Sequence, residues 1–265
     1  MNSSDSRFKQ QALPTWRRAV LKVGSSLLAA EGEGLTPRHA LGLAQFVSDS
    51  LAAGREVVIV SSGAVAAGRA VIHRQANANA AMAERQALAA LGQARLIGLW
   101  QTLFERPVAQ VLLTHDDLRN RRRYLNARAT LNELLALGAL PVINENDTVS
   151  VDELKLGDND NLAAVIAALV DADALFIATD IDGFYTANPR THAEAQPIED
   201  VEALTPEFFA MAGDAGSSSG TGGMRTKLEA AAKAAAAGIA TFLLNGTRAD
   251  AVSGLSQGQF SGTRF

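Results

Sequence analysis

Six short apolar runs constrain the fold of this chain more than any other feature, because they alternate with helical patterns along almost its whole length. Residues 18–23 and 56–60 are two of these runs, and the second is almost entirely β-branched. An uninterrupted apolar run of this kind is typical of a strand that is buried on both faces of a sheet. The other four predicted strands are residues 107–113, 140–144, 174–178 and 239–244.

Helical patterns fill the intervals between the predicted strands. Thr36 and Pro37 predict the start of one helix over residues 36–53, and Gly54 predicts its end. Further helices are predicted over residues 80–104, 124–138, 161–170 and 224–237. Strands that alternate with helices indicate an α/β fold with a mainly parallel sheet and helices on both of its faces.

Length, charge and composition exclude several classes of protein. The chain has 265 residues, and its 24 basic against 28 acidic residues give a net charge of −4, which argues against nucleic acid as the main partner. The absence of cysteine excludes disulfides and thiolate chemistry, and the four histidines lack the spacing of metal ligands. No signal peptide pattern is present and no uncharged apolar stretch reaches about 18 residues, so we expect a soluble cytoplasmic protein without membrane contact.

The loops after the predicted strands concentrate glycine and polar residues. In a parallel sheet, ligands bind beyond the carboxyl ends of the strands, where loops lead into helix N-termini. Three such loops contain glycine, at residues 24–26, 61–63 and 222–223. Backbone N–H groups in these turns can converge on an anion. One glycine turn alone would be explained by backbone geometry, but three together indicate a ligand with several phosphate or carboxylate groups.

Two lysines are the candidate catalytic residues. The chain contains no G-x-x-x-x-G-K-[ST] loop, and no G-x-G-x-x-G follows the first predicted strand. Lys22 instead lies at the end of the first apolar run, and Lys227 begins a late helix. An ammonium beside a transferring phosphoryl group contributes up to about 4 kcal/mol at an effective dielectric constant near 20. For either lysine alone, a surface residue with a packed stem would be an equally good interpretation.

Two runs of acids and amides complete the candidate site. Residues 157–161 (Gly-Asp-Asn-Asp-Asn) are explained either as a turn that caps the next helix or as part of a ligand site, and they lack the continuation of a calcium loop. Residues 144–147 (Asn-Glu-Asn-Asp) end an apolar strand. Their side chains would lie over the ligand edge of the sheet, where they suit an amino group and an α-carboxylate.

Together these motifs resemble the glutamate 5-kinases of the amino acid kinase superfamily, over almost the whole chain. The motifs that carry the resemblance are Lys22-x-Gly-Ser-Ser, Ser62-Gly63-Ala-Val-Ala-Ala-Gly, Tyr-Leu-Asn126-Ala-Arg128, Pro-Val-Ile-Asn-Glu-Asn-Asp147, Lys155-x-Gly-Asp-Asn159-Asp160-Asn, Thr179-Asp180-x-x-Gly-x-Tyr and Gly-Thr221-Gly-Gly-Met-x-Thr-Lys227. Two positions depart from the family pattern. Ser25 stands where threonine is common, and Arg225 stands where a small residue is common.

The resemblance implies an α/β fold, namely a three-layer α/β/α sandwich with a mainly parallel central sheet. It also implies that the protein transfers the γ-phosphoryl group of ATP to the side-chain carboxylate of L-glutamate. It implies that Lys22 and Lys227 flank the phosphoryl group and that Asp160 positions both lysines. The implied glutamate site consists of Ser62, Gly63, Asp147 and Asn159. The implied nucleotide site consists of Lys22, Thr179, Asp180, Thr221, Gly222, Gly223, Met224, Thr226 and Lys227.

The resemblance also implies further partners and a domain organisation. Mg²⁺ would be carried by the ATP phosphates without dedicated protein ligands, proline would be a feedback inhibitor, and the chain would form a homodimer or homotetramer. We expect a flexible extension over residues 1–16 and a kinase domain over 17–265, without the C-terminal PUA domain that many members carry. The alternatives are another amino acid kinase, such as an N-acetylglutamate kinase, or a non-catalytic sensor, although a sensor has no need of both lysines.

Overall fold

The computed structural model describes residues 7–30, 34–73, 80–150, 159–212 and 223–265. The helices of these residues are α1 Ser25–Leu28, α2 Ala40–Ala52, α3 Ala64–Val71, α4 Met82–Thr102, α5 His115–Arg119, α6 Arg121–Ala136, α7 Asn159–Leu169, α8 Pro206–Met211, α9 Met224–Ala236 and α10 Ala249–Ser256. The strands are β1 Gln10–Ala12, β2 Arg18–Val23, β3 Ala29–Ala30, β4 Gly34–Leu35, β5 Glu56–Ser61, β6 Val108–Leu113, β7 Leu140–Glu145, β8 Ala174–Thr179, β9 Phe184–Tyr185, β10 Pro197–Ile198, β11 Ala240–Asn245, β12 Gln259–Ser261 and β13 Thr263–Arg264.

A seven-stranded sheet forms the middle layer of the described residues, in the order β13-β11-β8-β2-β5-β7-β6. Six of its strands are parallel, and they are the six strands that the apolar runs predicted. The short edge strand β13 pairs antiparallel with β11 and was not predicted. The prediction of a mainly parallel sheet is therefore confirmed, and β2 is its central strand.

Helices cover both faces of this sheet, which confirms the three-layer sandwich. On one face, Leu21 of β2 belongs to a core that includes Phe46 of α2, Leu96 of α4 and Val252 of α10. On the other face, Val20 of β2 belongs to a second core with residues of α6, α7 and α9. Because successive side chains of a strand point to opposite faces, each central strand contributes to both cores. This double burial explains why the strands are apolar without alternation.

The N-terminal residues differ from the expected flexible extension where the structure describes them. From residue 7 onward, β1 pairs with β12, and Phe8 is buried with its ring edge against Tyr185 at a centroid distance of 5.1 Å. Trp16 is also buried and contacts Phe46 and Phe176. These contacts join residues 7–16 to partners that lie far along the chain, and local sequence patterns contain no sign of them.

Helix α2 begins later than the sequence predicts. Thr36 Oγ1 accepts a hydrogen bond from the backbone N–H of Arg38, which forms a local turn before the helix. The helix proper starts at Ala40, and the N–H of Leu41 donates to the Pro37 carbonyl. Threonine thus ends the preceding loop in a side-chain turn rather than capping the helix directly.

Candidate active site

The predicted site residues gather where β2, β5, β7 and β8 end, in the middle of the sheet. Lys22 lies near the end of β2, between Val60 of β5 and Ile177 of β8. Helices α7 and α9 begin at this same edge, and their first turns carry Asp160 and Lys227. Parallel strands end together, so residues distant in sequence meet here.

Asp160 joins the two candidate lysines in one buried ionic cluster. Lys22 Nζ lies 2.5 Å from Asp160 Oδ1, and Lys227 Nζ lies 3.0 Å from Asp160 Oδ2. The side chain of Asp160 is fully buried, and those of Lys22 and Lys227 are 7% and 5% exposed. Two positive charges and one negative charge leave the cluster with a net charge of +1. A buried site with excess positive charge favours the binding of an anion.

The positions of these three groups follow from the local structure. Lys22 has the parity of Val20 in β2, so it points toward the face that α7 and α9 cover. Asp160 lies in the first turn of α7, where the helix dipole favours a carboxylate. Lys227 lies in the first turn of α9, where the dipole disfavours an ammonium. The contact with Asp160 offsets this unfavourable position.

The carboxyl group of Asp160 is held in its ionised form. Burial alone would raise the pKa of Asp160, but the charges of Lys22 and Lys227 and their hydrogen bonds outweigh this effect. They hold its pKa well below the usual range for aspartate. Asp160 is therefore a permanent negative charge between two ammonium groups and is unsuited to act as a general base near neutral pH.

A network of neutral side chains lies beside the ionic cluster. Asn159 Nδ2 is 2.8 Å from Ser62 Oγ, 3.0 Å from Asn144 Oδ1 and 3.3 Å from the Ser61 carbonyl. Asn159 directly precedes Asp160 in α7, so one helix start serves both groups. Gly63 has a φ of +114° before α3, a conformation that glycine adopts readily and that lets the chain turn sharply after Ser62.

The run 144–147 forms several hydrogen bonds within the protein. Asn144 is buried, Glu145 Oε1 accepts from Ser150 Oγ at 2.6 Å, and Asn146 Oδ1 accepts from Thr148 Oγ1 at 2.6 Å. Asp147 is half-buried in the turn that follows β7. Asn144, Glu145 and Asn146 therefore use side-chain atoms in hydrogen bonds within the protein, whereas the prediction was that the whole run faces a ligand.

The residues of the predicted nucleotide site lie on two elements. Thr179 ends β8, is buried, and its Oγ1 is 3.2 Å from Asp180 Oδ1, while Asp180 is exposed and lies 3.5 Å from the guanidinium of Arg190. On α9, Thr226 Oγ1 lies 2.8 Å from the Gly223 carbonyl and 3.2 Å from Asp160 Oδ2. Met224 begins this helix and is half-buried. Thr221 and Gly222 lie outside the described residues.

The glycine loop after β2 contributes less backbone to a ligand than the sequence suggests. The N–H of Gly24 donates to the Ala178 carbonyl at 3.1 Å, so this donor is used between strands. A Cβ at Gly24 would lie 3.4 Å from the same carbonyl oxygen and 3.8 Å from Lys22 Nζ. These are ordinary van der Waals distances, so neither contact requires glycine at this position.

A model of the amino acid kinase family matches residues 17–245, which include both lysines and Asp160. The chain belongs to the amino acid kinase family. The match begins just before the central strand and ends with β11, so it spans all six parallel strands. Members of this family are phosphotransferases.

Curated relatives match nearly the whole chain. A glutamate 5-kinase of Xylella fastidiosa is 72% identical over 260 residues, which cover 98% of this chain and 68% of the relative. A glutamate 5-kinase of Xanthomonas campestris pv. campestris is 76% identical over 246 residues, which cover 93% of this chain and 68% of the relative.

Solved structures of two other kinases share the fold. The isopentenyl phosphate kinase of T. acidophilum superposes with a TM-score of 0.63 at 17% identity, over 93% of this chain and 99% of that protein. The UMP kinase of Bacillus anthracis superposes with a TM-score of 0.61 at 15% identity, over 95% of this chain and 96% of that protein. At these identities the likeness describes the arrangement of the layers alone.

Sequence patterns missed the residues of α4 that contact the site. Trp100 Nε1 donates to Ser61 Oγ at 2.8 Å, and Gln93 Oε1 accepts from Asn144 Nδ2 at 2.9 Å. A heptad spacing of polar or amphipathic side chains in an otherwise apolar helix face was the signal that could have indicated them.

In the described ranges, no helix combines the length and the apolar character that a membrane span needs.

Proposed function

We propose that the protein transfers the γ-phosphoryl group of ATP to the side-chain carboxylate of L-glutamate and forms L-glutamyl 5-phosphate and ADP. The observation that carries this proposal is the buried cluster in which Asp160 holds Lys22 and Lys227 together. The relatives that are 72% and 76% identical are glutamate 5-kinases, which supports glutamate as the acceptor.

The proposed step needs alignment and positive charge more than proton transfer. An oxygen of the glutamate side-chain carboxylate attacks the γ-phosphorus, while the bond from that phosphorus to the β–γ bridging oxygen breaks. The electron pair of the broken bond leaves with ADP. The nucleophile is already ionised at neutral pH, since its reference pKa is about 4.3, so no general base is required. The chain has no cysteine, and its permanently ionised Asp160 fits this chemistry.

Lys22 and Lys227 are proposed to stabilise the charge that spreads over the transferring group. An ammonium about 4 Å from a unit negative charge contributes about 4 kcal/mol at an effective dielectric constant near 20. Because about 1.36 kcal/mol changes a rate tenfold, each lysine accounts for roughly a thousandfold in rate. Asp160 acts as a positioning residue, since its two carboxylate oxygens hold one ammonium each.

Magnesium is proposed to enter on the ATP phosphates. Asp160 is fully buried and has both carboxylate oxygens in contact with lysine ammonium groups, which makes it a poor ligand for a divalent cation. Mg²⁺ retains water readily and commonly binds through substrate phosphates. When bound, it would neutralise charge on the nucleotide.

The remaining site residues are assigned to one of the two substrates, glutamate or the nucleotide. We assign Ser62, Gly63, Asp147 and Asn159 to glutamate, because the hydroxyl, amide and carboxylate groups suit an amino acid with a free α-ammonium. Nucleotide binding is assigned to the residues that end β8 and begin α9, namely Thr179, Asp180, Gly223, Met224 and Thr226, together with Thr221 and Gly222.

We propose that the formation of L-glutamyl 5-phosphate is the first step of proline synthesis. Proline is proposed as a feedback inhibitor that competes with glutamate. Proline shares an α-carboxylate and an α-amine with glutamate, which is the chemical basis for competition. We also propose a homodimer or homotetramer, which light scattering of the purified protein would test.

The decisive experiment measures acceptor-dependent ADP release by a coupled assay. Glutamate, N-acetylglutamate, aspartate, carbamate and UMP are compared as acceptors, each with and without Mg²⁺, and glutamate also with and without proline. The expected result is Mg²⁺-dependent ADP release with glutamate alone. Activity with N-acetylglutamate but not with glutamate would overturn the proposed acceptor, and ADP release with no acceptor dependence would overturn the proposed reaction.

A further inference from the structure

Helix α4 carries three side chains with polar groups at intervals of seven residues. Because seven residues make almost two turns of an α-helix, these side chains form one row along the helix, the α4 row. Each of them forms a hydrogen bond with a different part of the site edge: Gln86 Nε2 donates to the Ser150 carbonyl at 2.9 Å, Gln93 Oε1 accepts from Asn144 Nδ2 at 2.9 Å, and Trp100 Nε1 donates to Ser61 Oγ at 2.8 Å.

The middle member of the α4 row fixes the orientation of Asn144. The backbone N–H of Glu145 donates to Asn144 Oδ1 at 2.9 Å, and a backbone N–H can only donate. The oxygen of the Asn144 amide therefore faces Glu145, and its nitrogen faces Gln93. Asn144 is 3% exposed, so the acceptor of Gln93 replaces the water that this amide nitrogen would otherwise bind.

Asn144 in turn fixes the orientation of Asn159. The Asn159 amide lies against two groups that only accept in this arrangement, Asn144 Oδ1 at 3.0 Å and the Ser61 carbonyl at 3.3 Å. Its nitrogen must face them, and the same nitrogen donates to Ser62 Oγ at 2.8 Å. The Asn159 oxygen then lies on the opposite side of the amide, as an acceptor suited to an ammonium group.

A close contact between α3 and α4 fixes the position of the α4 row. A Cβ at Gly92 of α4 would lie 1.8 Å from the Ala64 carbonyl, and a Cβ at Gly68 of α3 would lie 1.9 Å from the Leu88 carbonyl. Such an approach is possible only because both residues are glycine. Since α3 begins directly after Gly63, the contact fixes α4 relative to the loop that carries Ser62.

We propose that Gln93 is a positioning residue for the acceptor, which acts through Asn144 to hold the Asn159 oxygen toward the α-ammonium of the bound amino acid. This inference rests on the proposed glutamate kinase function. Without the acceptor of Gln93, the Asn144 amide loses its nitrogen partner and rotates or shifts, and Asn159 loses the acceptor that fixes its own amide. Glutamate binding is weakened, while the Lys22–Asp160–Lys227 cluster is left in place.

The test measures KM for glutamate, KM for ATP and kcat in variants of the full chain. Gln93→Met removes the acceptor with little change of length, and we expect it to raise the KM for glutamate about tenfold while kcat and the KM for ATP change less than about twofold. Gln93→Glu keeps an oxygen acceptor, and its KM for glutamate is expected within about threefold of wild type. Gln101→Met, the same change at an exposed position of α4, is the matched control and leaves all three constants unchanged.

A double-mutant cycle separates positioning from general destabilisation. In an Asn144→Ala background, Gln93→Met should have no further effect on the KM for glutamate, because the group through which it acts is gone. A full tenfold effect in that background, a Gln93→Met variant that behaves like Gln101→Met, or a Gln93→Glu variant as impaired as Gln93→Met would each overturn the inference. If Gln93→Met does not fold, the same constants are measured for Gln93→Ala, with the same expected results. A wild-type protein that is inactive with glutamate would instead overturn the proposed function itself, and this inference with it.

Discussion

The two halves of the site use opposite chemistry, although they meet at consecutive residues of one helix. Asp160 belongs to a buried ionic cluster with Lys22 and Lys227, on the face of the sheet that α7 and α9 cover. Asn159 belongs to a network of amides and a hydroxyl that extends to α4 on the other face. The start of α7 therefore connects a charged half with a neutral half.

This difference indicates how a site can bind two anions without neutralising its own catalytic charge. A further carboxylate close to Lys22 or Lys227 would compete with the phosphoryl group for the ammonium groups, because buried charges interact strongly. Amides orient a substrate by direction and carry no net charge. Under the proposed function, the neutral half therefore orients the acceptor, and the net positive half stabilises the group in transfer.

The largest expected effect comes from removing one charge of the ionic half. Lys227→Met keeps the length of the side chain and removes the ammonium, and it should lower kcat and kcat/KM together by roughly a thousandfold. Steady-state ADP release at saturating glutamate and ATP measures this change. Arg225→Met is the control on the same helix, since Arg225 forms a half-exposed ion pair with Glu229 and should change kcat less than about twofold. A change in the ATP KM alone would contradict the role of Lys227.

Asp160→Asn should reveal how much stability the cluster holds. The substitution leaves two buried ammonium groups beside a neutral amide, and removal of one partner from a buried ion pair costs about 3–5 kcal/mol. Urea denaturation of both proteins at pH 7 measures the difference in the free energy of unfolding. A difference below about 1 kcal/mol would show that the lysines do not depend on this carboxylate.

The same pair of proteins tests the lowered pKa of Asp160. A carboxyl group whose pKa is lower in the folded than in the unfolded state contributes stability above its unfolded pKa and loses that contribution as the pH falls toward its folded value. The stability difference between wild type and Asp160→Asn should therefore stay constant from about pH 8 to 5 and shrink only below about pH 4. A difference that already shrinks between pH 7 and 6 would contradict the assigned ionisation.

The neutral half should be sensitive to shape rather than to charge. Gly92→Ala places a methyl group 1.8 Å from the Ala64 carbonyl, so α3 and α4 must separate, at a cost of about 1–3 kcal/mol in the free energy of unfolding. Gly98→Ala is the matched control, because a Cβ added there would have no atom of the described residues within 4 Å apart from its chain neighbours and its own helix backbone, and it should stabilise the protein by about 0.5–1 kcal/mol. Denaturation midpoints measure both, and equal effects would contradict the close contact.

The smallest effect is expected at the acceptor edge. Asp147→Ala should raise the KM for glutamate about tenfold and leave the KM for ATP unchanged, because the proposed function assigns Asp147 to the acceptor and not to the nucleotide. Asp116→Ala removes an exposed acid of α5 and serves as the control. Equal rises in both KM values for Asp147→Ala would place this residue in the charged half instead.

Sequence patterns were sufficient where the structure depends on local composition. The six parallel strands are apolar because both of their faces are covered. The composition of each run reflects this burial without reference to any other part of the sequence. Lys22 and Lys227 stand out for a related reason, because they are charged residues near the boundaries of predicted elements and the ends of parallel strands converge on one edge. The role of Asp160 was implied only by the family resemblance.

Only the tertiary structure decided which distant groups meet. Neither the pairing of β1 with β12, the edge strand β13, nor the contact of Gln93 with Asn144 is visible in any local pattern. The physical reason is that a single hydrogen bond between distant residues contributes only about 1 kcal/mol and leaves no periodic trace in the sequence. Such a hydrogen bond forms only where two packed layers bring the two side chains together. The contact between Gly68 and Gly92 is an example, because it places α4 against the ends of β5 and β7.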